Sequence, residues 1–393
     1  PKLDLEKMRT WKNSVVQKLT GGLGQLRTQR NIEFIQGRAR FTSSSTLKIE
    51  RKDGGTEDMT FEKAILASGS RPAVIPGLPA SPRVWDSTGA LNLETVPSSL
   101  LVVGGGYIGL ELGSVYATLG TKVTVVEMMP SLLPGADADL VRPLAKRMEK
   151  LLAAVLLGTK VVEMKEVANG IEVRFDGANV KEPIQVFDRV LVSVGRKPNS
   201  QDLGLETTKV QVDAKGFVTV DPQRRTADPN IFAIGDVAGE PMLAHKATHE
   251  GRVAVEAIAG KKTIFDPRAI PAVVFTAPEI AWCGITEAEA QKAGRTVKIA
   301  RFPWGASGRA TTLNLVDGVT KLIVDPETER VLGLGLAGPG AGEMIAEGVL
   351  AIEMGATATD LALTIHPHPT LSETIMESAE VFLGHCTHIY RRK

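Results

Sequence analysis

A glycine-rich turn between an apolar strand and a helix places the strongest single limit on the fold of this chain. Residues 99–130, SLLVVGGGYIGLELGSVYATLGTKVTVVEMMP, have the pattern of a strand, a turn, a helix and a second strand. Gly104, Gly106 and Gly109 form G-x-G-x-x-G at this turn. The first glycine permits a tight turn, the second lets the backbone approach a pyrophosphate, and the third permits close helix packing. The pattern therefore predicts a βαβ unit that binds a dinucleotide.

An acidic residue at the end of the second strand indicates which dinucleotide is bound. Glu127 follows the glycine turn at close to the ~20 positions that are typical of a carboxylate contacting an adenosine ribose. A carboxylate there accepts a hydrogen bond from the 2′-hydroxyl and repels a 2′-phosphate, so NAD is favoured over NADP. The alternative is a glycine turn in an α/β domain that binds no nucleotide.

Charge and cysteine content narrow the functional classes. The chain has 393 residues, and its 46 Lys and Arg nearly balance its 45 Asp and Glu, so neither nucleic acid nor an anionic membrane surface is a predicted partner. No apolar run reaches the ~18 to 20 residues of a membrane span, which predicts a soluble protein. The two cysteines, Cys283 and Cys386, are too few and too far apart for a disulfide framework, a redox pair or a zinc site. We predict that both are structural and that no metal is bound.

Six patterns occur in the order ILASGSRP, VVGGGYIGLELG, SVGRKPN, IFAIGDVAG, MLAHKATHEG and HPHPTLSE. Together these six segments resemble the dihydrolipoamide dehydrogenase family of flavoprotein disulfide reductases. The resemblance implies an α/β fold with two Rossmann-like domains, for FAD and NAD, and a C-terminal α+β dimerisation domain. The implied domains are the FAD domain at 1–98, the NAD domain at 99–222, the return to the FAD domain at 223–267, and the dimerisation domain at 268–393.

The family pattern starts with another G-x-G-x-x-G and a C-x₄-C redox pair, and neither occurs ahead of the six segments in this sequence. About the first ninety residues of the pattern are expected to be missing, so the FAD domain is incomplete. The chain as given would then lack the redox disulfide.

The resemblance implies a set of cofactor contacts. Asp236 is implied to face FAD, and Ala244 and His245 are implied to lie where a helix approaches the flavin ring. Glu111 is implied to lie beside the nicotinamide. The remaining implied cofactor positions are glycines of the other motifs, Gly69 and Gly195. Alternatively, Asp236 only caps a turn, Glu111 is an ordinary helix carboxylate, and His245 lies on a surface helix.

The segment HPHPTLSE, residues 366–373, is predicted to carry the base of a thiol reaction. A dithiol reductase needs a group that removes a proton from a thiol, and imidazole suits this role near neutral pH. By resemblance, His368 is this base, Glu373 orients it, and it acts on the disulfide of the partner subunit. Two other interpretations remain open: Thr370 and Glu373 as a helix capping box, and His366 with His368 as metal ligands.

The resemblance also implies the partners and the reaction. The protein is expected to be a homodimer that oxidises dihydrolipoamide through FAD with hydride transfer to NAD. It is expected to serve a 2-oxo-acid dehydrogenase complex beside the dihydrolipoyl acyltransferase, in a bacterial cytoplasm rather than a mitochondrial matrix. The alternatives are a soluble pyridine nucleotide transhydrogenase and a non-catalytic NAD-binding dimer fragment.

Overall fold

The computed structural model describes residues 3–178 and 180–390, which fold into two compact units. The first unit contains the chain up to Ala73 together with Leu91–Thr95 and Arg196–Asp266. The second unit contains Val74–Ala90, Val96–Gly195 and the chain from Pro267 onward. The domain boundaries given above remain predictions.

The helices are α1 (Leu5–Gln29), α2 (Ser87–Asn92), α3 (Tyr107–Thr118), α4 (Ala138–Leu151), α5 (Ala244–Ile258), α6 (Glu287–Lys292), α7 (Gly308–Thr312), α8 (Ala341–Met354), α9 (Ala358–Leu363) and α10 (Glu373–Leu383). The strands are β1 (Gly37–Ser43), β2 (Thr46–Arg51), β3 (Thr56–Thr60), β4 (Ala64–Leu66), β5 (Ser70–Pro72), β6 (Val84–Trp85), β7 (Ser99–Val103), β8 (Lys122–Val126), β9 (Ala154–Leu156), β10 (Lys160–Val167), β11 (Gly170–Asp176), β12 (Ile184–Phe187), β13 (Arg189–Val192), β14 (Arg196–Pro198), β15 (Ile231–Ala233), β16 (Ala272–Val274), β17 (Ile280–Gly284), β18 (Lys298–Pro303), β19 (Val319–Val324) and β20 (Val331–Ala337).

A parallel sheet of five strands, in the order β6-β13-β7-β8-β9, forms the centre of the predicted βαβ region in the second unit. β7 pairs with β8 in parallel, from Ser99 opposite Lys122 to Val103 opposite Val126. The apolar residues of β7 are buried on both faces, as is usual where helices or other layers cover a parallel sheet. α3 joins β7 to β8, so the strand, turn, helix and strand predicted from the glycine motif are present.

The same unit contains an antiparallel sheet in the order β16-β17-β20-β19-β18. Helices α8 and α10 pack on it over a core that includes Leu322, Leu336 and Ile375, all fully buried. The sequence pattern predicts helices at residues 341–354 and 371–382. These correspond to α8 and α10, but α10 begins two residues later than predicted, at Glu373.

Helix α4 was not predicted from the sequence. Its buried residues are Leu140, Val141, Leu144 and Met148, which recur at helical spacing. Leu140 lies against the β20 backbone at Gly335, where an added Cβ would approach the leucine side chain within 2.4 Å. The helix therefore gains its burial from a strand almost two hundred residues away in sequence.

The first unit is built from smaller sheets. In the sequence, residues 32–41 and the two segments that follow alternate between apolar and polar residues, which predicts a small β meander. β1, β2 and β3 form this antiparallel meander, although its first strand begins at Gly37 rather than at residue 32. β4 pairs in parallel with β15, and β5 pairs antiparallel with β14, so early and late parts of the chain share sheets. No helix among the described residues is both long and apolar enough to cross a membrane.

Candidate active site

The glycine turn leaves open space at the N-terminus of α3. Gly104 has φ +109°, and a Cβ added there would lie 2.4 Å from the Ser193 carbonyl oxygen. A Cβ at Gly109 would lie 2.2 Å from the Gly104 carbonyl oxygen, so this glycine permits close packing of helix and strand. An added Cβ at Gly106 meets nothing within 4 Å, and this residue caps α3 without any side-chain hydrogen bond. The open space beside Gly106 at the helix N-terminus suits a pyrophosphate.

Glu127 lies directly after β8 and beside this turn. Its Oε2 accepts a hydrogen bond from the Gly105 amide at 2.6 Å, and its Oε1 accepts one from the Met129 amide at 2.7 Å. The residue is 9% exposed. Each carboxylate oxygen can accept a further hydrogen bond, which a ribose hydroxyl would supply. The residues around the turn therefore fit the adenosine diphosphate half of NAD.

Glu111, one turn into α3, is engaged by the loop after β16. Its Oε1 accepts a hydrogen bond from the Phe275 amide at 2.8 Å. Burial raises the pKa of Glu111, and the hydrogen bond from Phe275 only partly opposes this rise. The carboxyl group is therefore partly shielded from solvent. Its contact with a nicotinamide remains a prediction.

In the first unit, three of the sequence motifs meet at Ser70. The Ser70 hydroxyl donates to Asp236 Oδ2 at 2.6 Å and accepts from Arg196 Nε at 2.7 Å. Arg196 Nη2 also donates to the Ser70 carbonyl at 2.8 Å. Ser70 and Arg196 directly follow Gly69 and Gly195, which have φ of +69° and +111°. Sequence reasoning selected the two glycines but missed the side chains after them, although both lie inside the recognised motifs.

A buried carboxylate that the sequence analysis also missed supports the turn at Asp236. Glu250 Oε2 accepts from the amide of Gly235, which has φ +73°, at 2.6 Å. Its Oε1 lies 2.6 Å from Arg224 Nη1 and 2.9 Å from Lys246 Nζ. Because Glu250 is fully buried, the two cations offset the cost of burying its charge. Glu250, which lies on α5, therefore stabilises the turn that contains Asp236.

Two residues in the first turn of α5 are exposed to solvent. Ala244 and His245 are exposed, and the preceding residue, Leu243, provides no side-chain cap. The Ser70 hydroxyl and the Asp236 carboxylate offer hydrogen-bonding groups that fit the polar part of FAD, whereas the approach of Ala244 and His245 to the flavin ring remains a prediction.

His368 is presented to solvent with its ring orientation set by Glu373. The side chain is 75% exposed, and its Nδ1 lies 2.9 Å from Glu373 Oε1. An ionised carboxylate only accepts hydrogen bonds, so Nδ1 carries the hydrogen and Nε2 of the neutral ring is free to accept a proton. Burial raises the pKa of Glu373, but hydrogen bonds from the Thr370 amide and His368 outweigh it and lower the pKa overall.

The capping box proposed for Thr370 and Glu373 is not formed. α10 begins at Glu373 after the N-cap Ser372, so Thr370 is not the capping residue. Glu373 Oε2 nevertheless accepts from the Thr370 amide at 2.7 Å. One oxygen of Glu373 thus holds the loop and the other holds His368. In the described ranges, the clusters with metal-binding geometry contain neither His366 nor His368.

Both cysteine thiols lie in surroundings that keep them protonated. Burial raises the pKa of Cys283 to about 12. Burial and a hydrogen bond to Glu377 raise the pKa of Cys386 to about 12. Thiolates are the reactive form, so neither residue has the environment of a redox cysteine.

Two family models match the chain. Residues 3–251 match the model described as pyridine nucleotide-disulphide oxidoreductase, and residues 270–379 match the dimerisation domain of the same family. The chain belongs to the pyridine nucleotide-disulphide oxidoreductase family.

Individual relatives agree with this placement. The chain is 47% identical to a dihydrolipoyl dehydrogenase of Vibrio cholerae, covering 100% of this chain and 82% of the relative. It is 46% identical to a dihydrolipoyl dehydrogenase of Thermus scotoductus, with 100% and 84% covered. Among solved structures, the HOCl-induced flavoprotein disulfide reductase RclA from Escherichia coli has a TM-score of 0.85 and 30% identity, covering 94% of this chain and 84% of that one.

These comparisons confirm the predicted family and the predicted fold class. They also confirm an oxidoreductase that uses FAD and NAD, the cofactors of this family. The roles of the individual site residues remain predictions that rest on the geometry described above.

Proposed function

We propose that the protein is a dihydrolipoamide dehydrogenase, which oxidises dihydrolipoamide to lipoamide and reduces NAD⁺ to NADH with release of one proton. The observation that carries this proposal is the exposed His368 ring with Nδ1 held by Glu373 at 2.9 Å. A base of this kind is needed for thiol chemistry and has no task in hydride exchange between two nicotinamides. The relatives named dihydrolipoyl dehydrogenase support the same activity.

His368 accepts and returns the proton of the thiol reaction. Oxidation of a dithiol to a disulfide removes two electrons and two protons, and a thiol must lose its proton before its sulfur can attack. Nε2 of His368 accepts that proton, and the imidazolium then formed is stabilised by the Glu373 carboxylate at Nδ1. The bond attacked is the redox disulfide that the family resemblance implies on the partner subunit. The new sulfur–sulfur bond forms as that disulfide breaks, and the same ring returns the proton to the sulfur that leaves.

Other residues of the chain bind and orient the two cofactors. The amides at the start of α3 hold the pyrophosphate of NAD, and Glu127 holds the adenosine ribose. Ser70 and Asp236 hold the polar chain of FAD. When bound, FAD and NAD carry the two electrons away from the sulfur atoms.

We further infer that the enzyme works as a homodimer. The region that matches the family dimerisation domain exposes large apolar side chains, namely Leu350, Met354, Leu363 and Ile365. Large exposed apolar side chains are typical of a surface that is covered by another chain. The physiological partner is expected to be the dihydrolipoyl acyltransferase of a 2-oxo-acid dehydrogenase complex in a bacterial cytoplasm.

The test is a comparison of substrates with the purified, flavin-containing protein. Dihydrolipoamide with NAD⁺ should be oxidised rapidly, and NADP⁺ should support a much slower reaction because of Glu127. Hydride exchange between NADH and an NAD⁺ analogue serves as the competing activity. Exchange that proceeds well without any dithiol, while dihydrolipoamide is left unreacted, would overturn the proposal in favour of a transhydrogenase.

A further inference from the structure

The side chain of His366, two residues before His368, is buried although the neighbouring residues are exposed. Its side chain is 5% exposed, and its Nε2 lies 2.8 Å from Glu347 Oε1 on α8. Its Nδ1 lies 2.8 Å from the Thr364 carbonyl oxygen. Both ring nitrogens therefore have a partner within hydrogen-bonding distance.

The two partners determine where the protons of this ring are. A carbonyl oxygen and an ionised carboxylate accept hydrogen bonds and cannot donate them. Both ring nitrogens must then carry hydrogen, which makes His366 an imidazolium paired with the Glu347 carboxylate. The hydrogen bond to Glu347 raises the pKa of His366, burial lowers it, and the net change is upward.

This ion pair anchors a segment that is otherwise exposed. Within residues 364–369, all of which the structure describes, only His366 is not exposed, and Ile365 is 94% exposed. On the far side of His368, Thr370 is bound through its amide to Glu373. The base thus lies between two anchors, one on α8 and one at the start of α10.

We infer that Glu347 and His366 are positioning residues for His368, which clamp its segment to α8 so that the ring meets the thiol in a productive orientation. This inference rests on the proposed function, because it assumes that His368 is the base. Neither residue needs to contact the substrate. Misplacement of a catalytic group by about 1 Å can cost ~10²-fold in rate.

The ion pair also predicts a pH signature. The charged or titratable groups near His366 are Glu347 on α8, Glu373 on α10 and His368 in the same segment. Because its pKa is raised above the usual 6.5, the pair is intact at low pH and is lost as the pH rises through the raised value. Replacing Glu347 with Gln removes the cause of the rise, so the clamp should loosen at a lower pH than in the wild type.

The experiment compares Glu347→Gln and Glu347→Ala with a matched control, Glu343→Gln. Glu343 is exposed on α8 one turn away from Glu347. The readouts are kcat for dihydrolipoamide oxidation with NAD⁺, NADH-driven reduction of a dye through the flavin, flavin content and melting temperature. Glu347→Ala should lower the first rate about 10-fold and leave the dye reaction nearly unchanged. Glu347→Gln should lie between Glu347→Ala and the wild type, and the control should match the wild type.

The pH profile separates positioning from a general loss of stability. The deficit of Glu347→Gln should be largest between the usual pKa of histidine and the raised pKa of His366, and it should shrink above the latter. A deficit that is independent of pH, or equal losses of the thiol and dye reactions, overturns the inference. An active wild type whose Glu347 variants match Glu343→Gln overturns the inference alone, whereas a wild type that fails to oxidise dihydrolipoamide overturns the proposed function and the inference with it.

Discussion

Substitution of Glu373 by Gln tests whether one side chain can serve two tasks. In the structure, Oε1 accepts from His368 Nδ1 at 2.9 Å and Oε2 accepts from the Thr370 amide at 2.7 Å. A glutamine has one acceptor oxygen and one amide group that only donates. If the oxygen keeps Thr370, the amide donates to Nδ1, and the hydrogen of the His368 ring moves to Nε2. The ring must return to the tautomer with hydrogen on Nδ1, against this hydrogen bond, before Nε2 can accept a proton from a thiol.

The size of the effect follows from the lost hydrogen bond. A hydrogen bond to a charged group contributes about 1.5–3 kcal/mol. With about 1.4 kcal/mol for each tenfold change, Glu373→Gln should slow dihydrolipoamide oxidation roughly 10- to 100-fold. His368→Gln removes the base itself and should slow the reaction by about 10² to 10⁴-fold.

The assay measures both half-reactions in the same preparation. Dihydrolipoamide oxidation with NAD⁺ requires the base, whereas reduction of an artificial dye by NADH through the flavin does not involve a thiol. The dye reaction should therefore survive in both variants, with unchanged flavin content. Equal losses in the two half-reactions of His368→Gln would refute the assignment of the base. If Glu373→Gln lowered only the melting temperature and neither rate, Glu373 would stabilise the loop through Thr370 but would not orient His368.

Three further predictions concern the cofactor sites. Glu127→Arg should relax or reverse the preference for NAD over NADP, measured as the ratio of the two kcat/KM values, and an unchanged ratio would contradict the role of Glu127. Gly106→Ala should weaken NAD binding in a titration while leaving the melting temperature nearly unchanged, since its Cβ would meet nothing within 4 Å. Gly109→Ala, whose Cβ would lie 2.2 Å from a main-chain oxygen, should instead lower the melting temperature, and equal stability of these two variants would show that the turn has been misread. Ser70→Ala should release FAD more readily during dialysis, because Asp236 and Arg196 lose the hydroxyl that joins them, and full retention would place FAD elsewhere.

Features that depend on neighbouring residues could be predicted from the sequence. The turn at Gly104 needs a positive φ and the absence of a Cβ, which are properties of single residues in a short pattern. The position of Glu127 at the end of the second strand could be predicted from the length of one βαβ unit. His368 and Glu373 are five positions apart, so their contact also lies within reach of a local motif.

Contacts between distant segments could not be predicted in this way. Ser70 and Asp236 are 166 positions apart and meet only because β4 pairs with β15 and β5 pairs with β14. The burial of Glu250 could not be predicted from its own helix, because its ion pair with Arg224 forms only when the chain has folded.

The eight residues around His368 include features that the local sequence determines and features that only the tertiary structure determines. The sequence HPHPTLSE by itself determined that a histidine and a glutamate lie within contact distance in a segment stiffened by Pro367 and Pro369. Only the tertiary structure decided that Thr370 is not the helix cap, and that His366 is buried against Glu347 on a different helix. The reason is physical: dihedral preferences and spacing act over a few residues, whereas burial and charge pairing depend on which elements pack together.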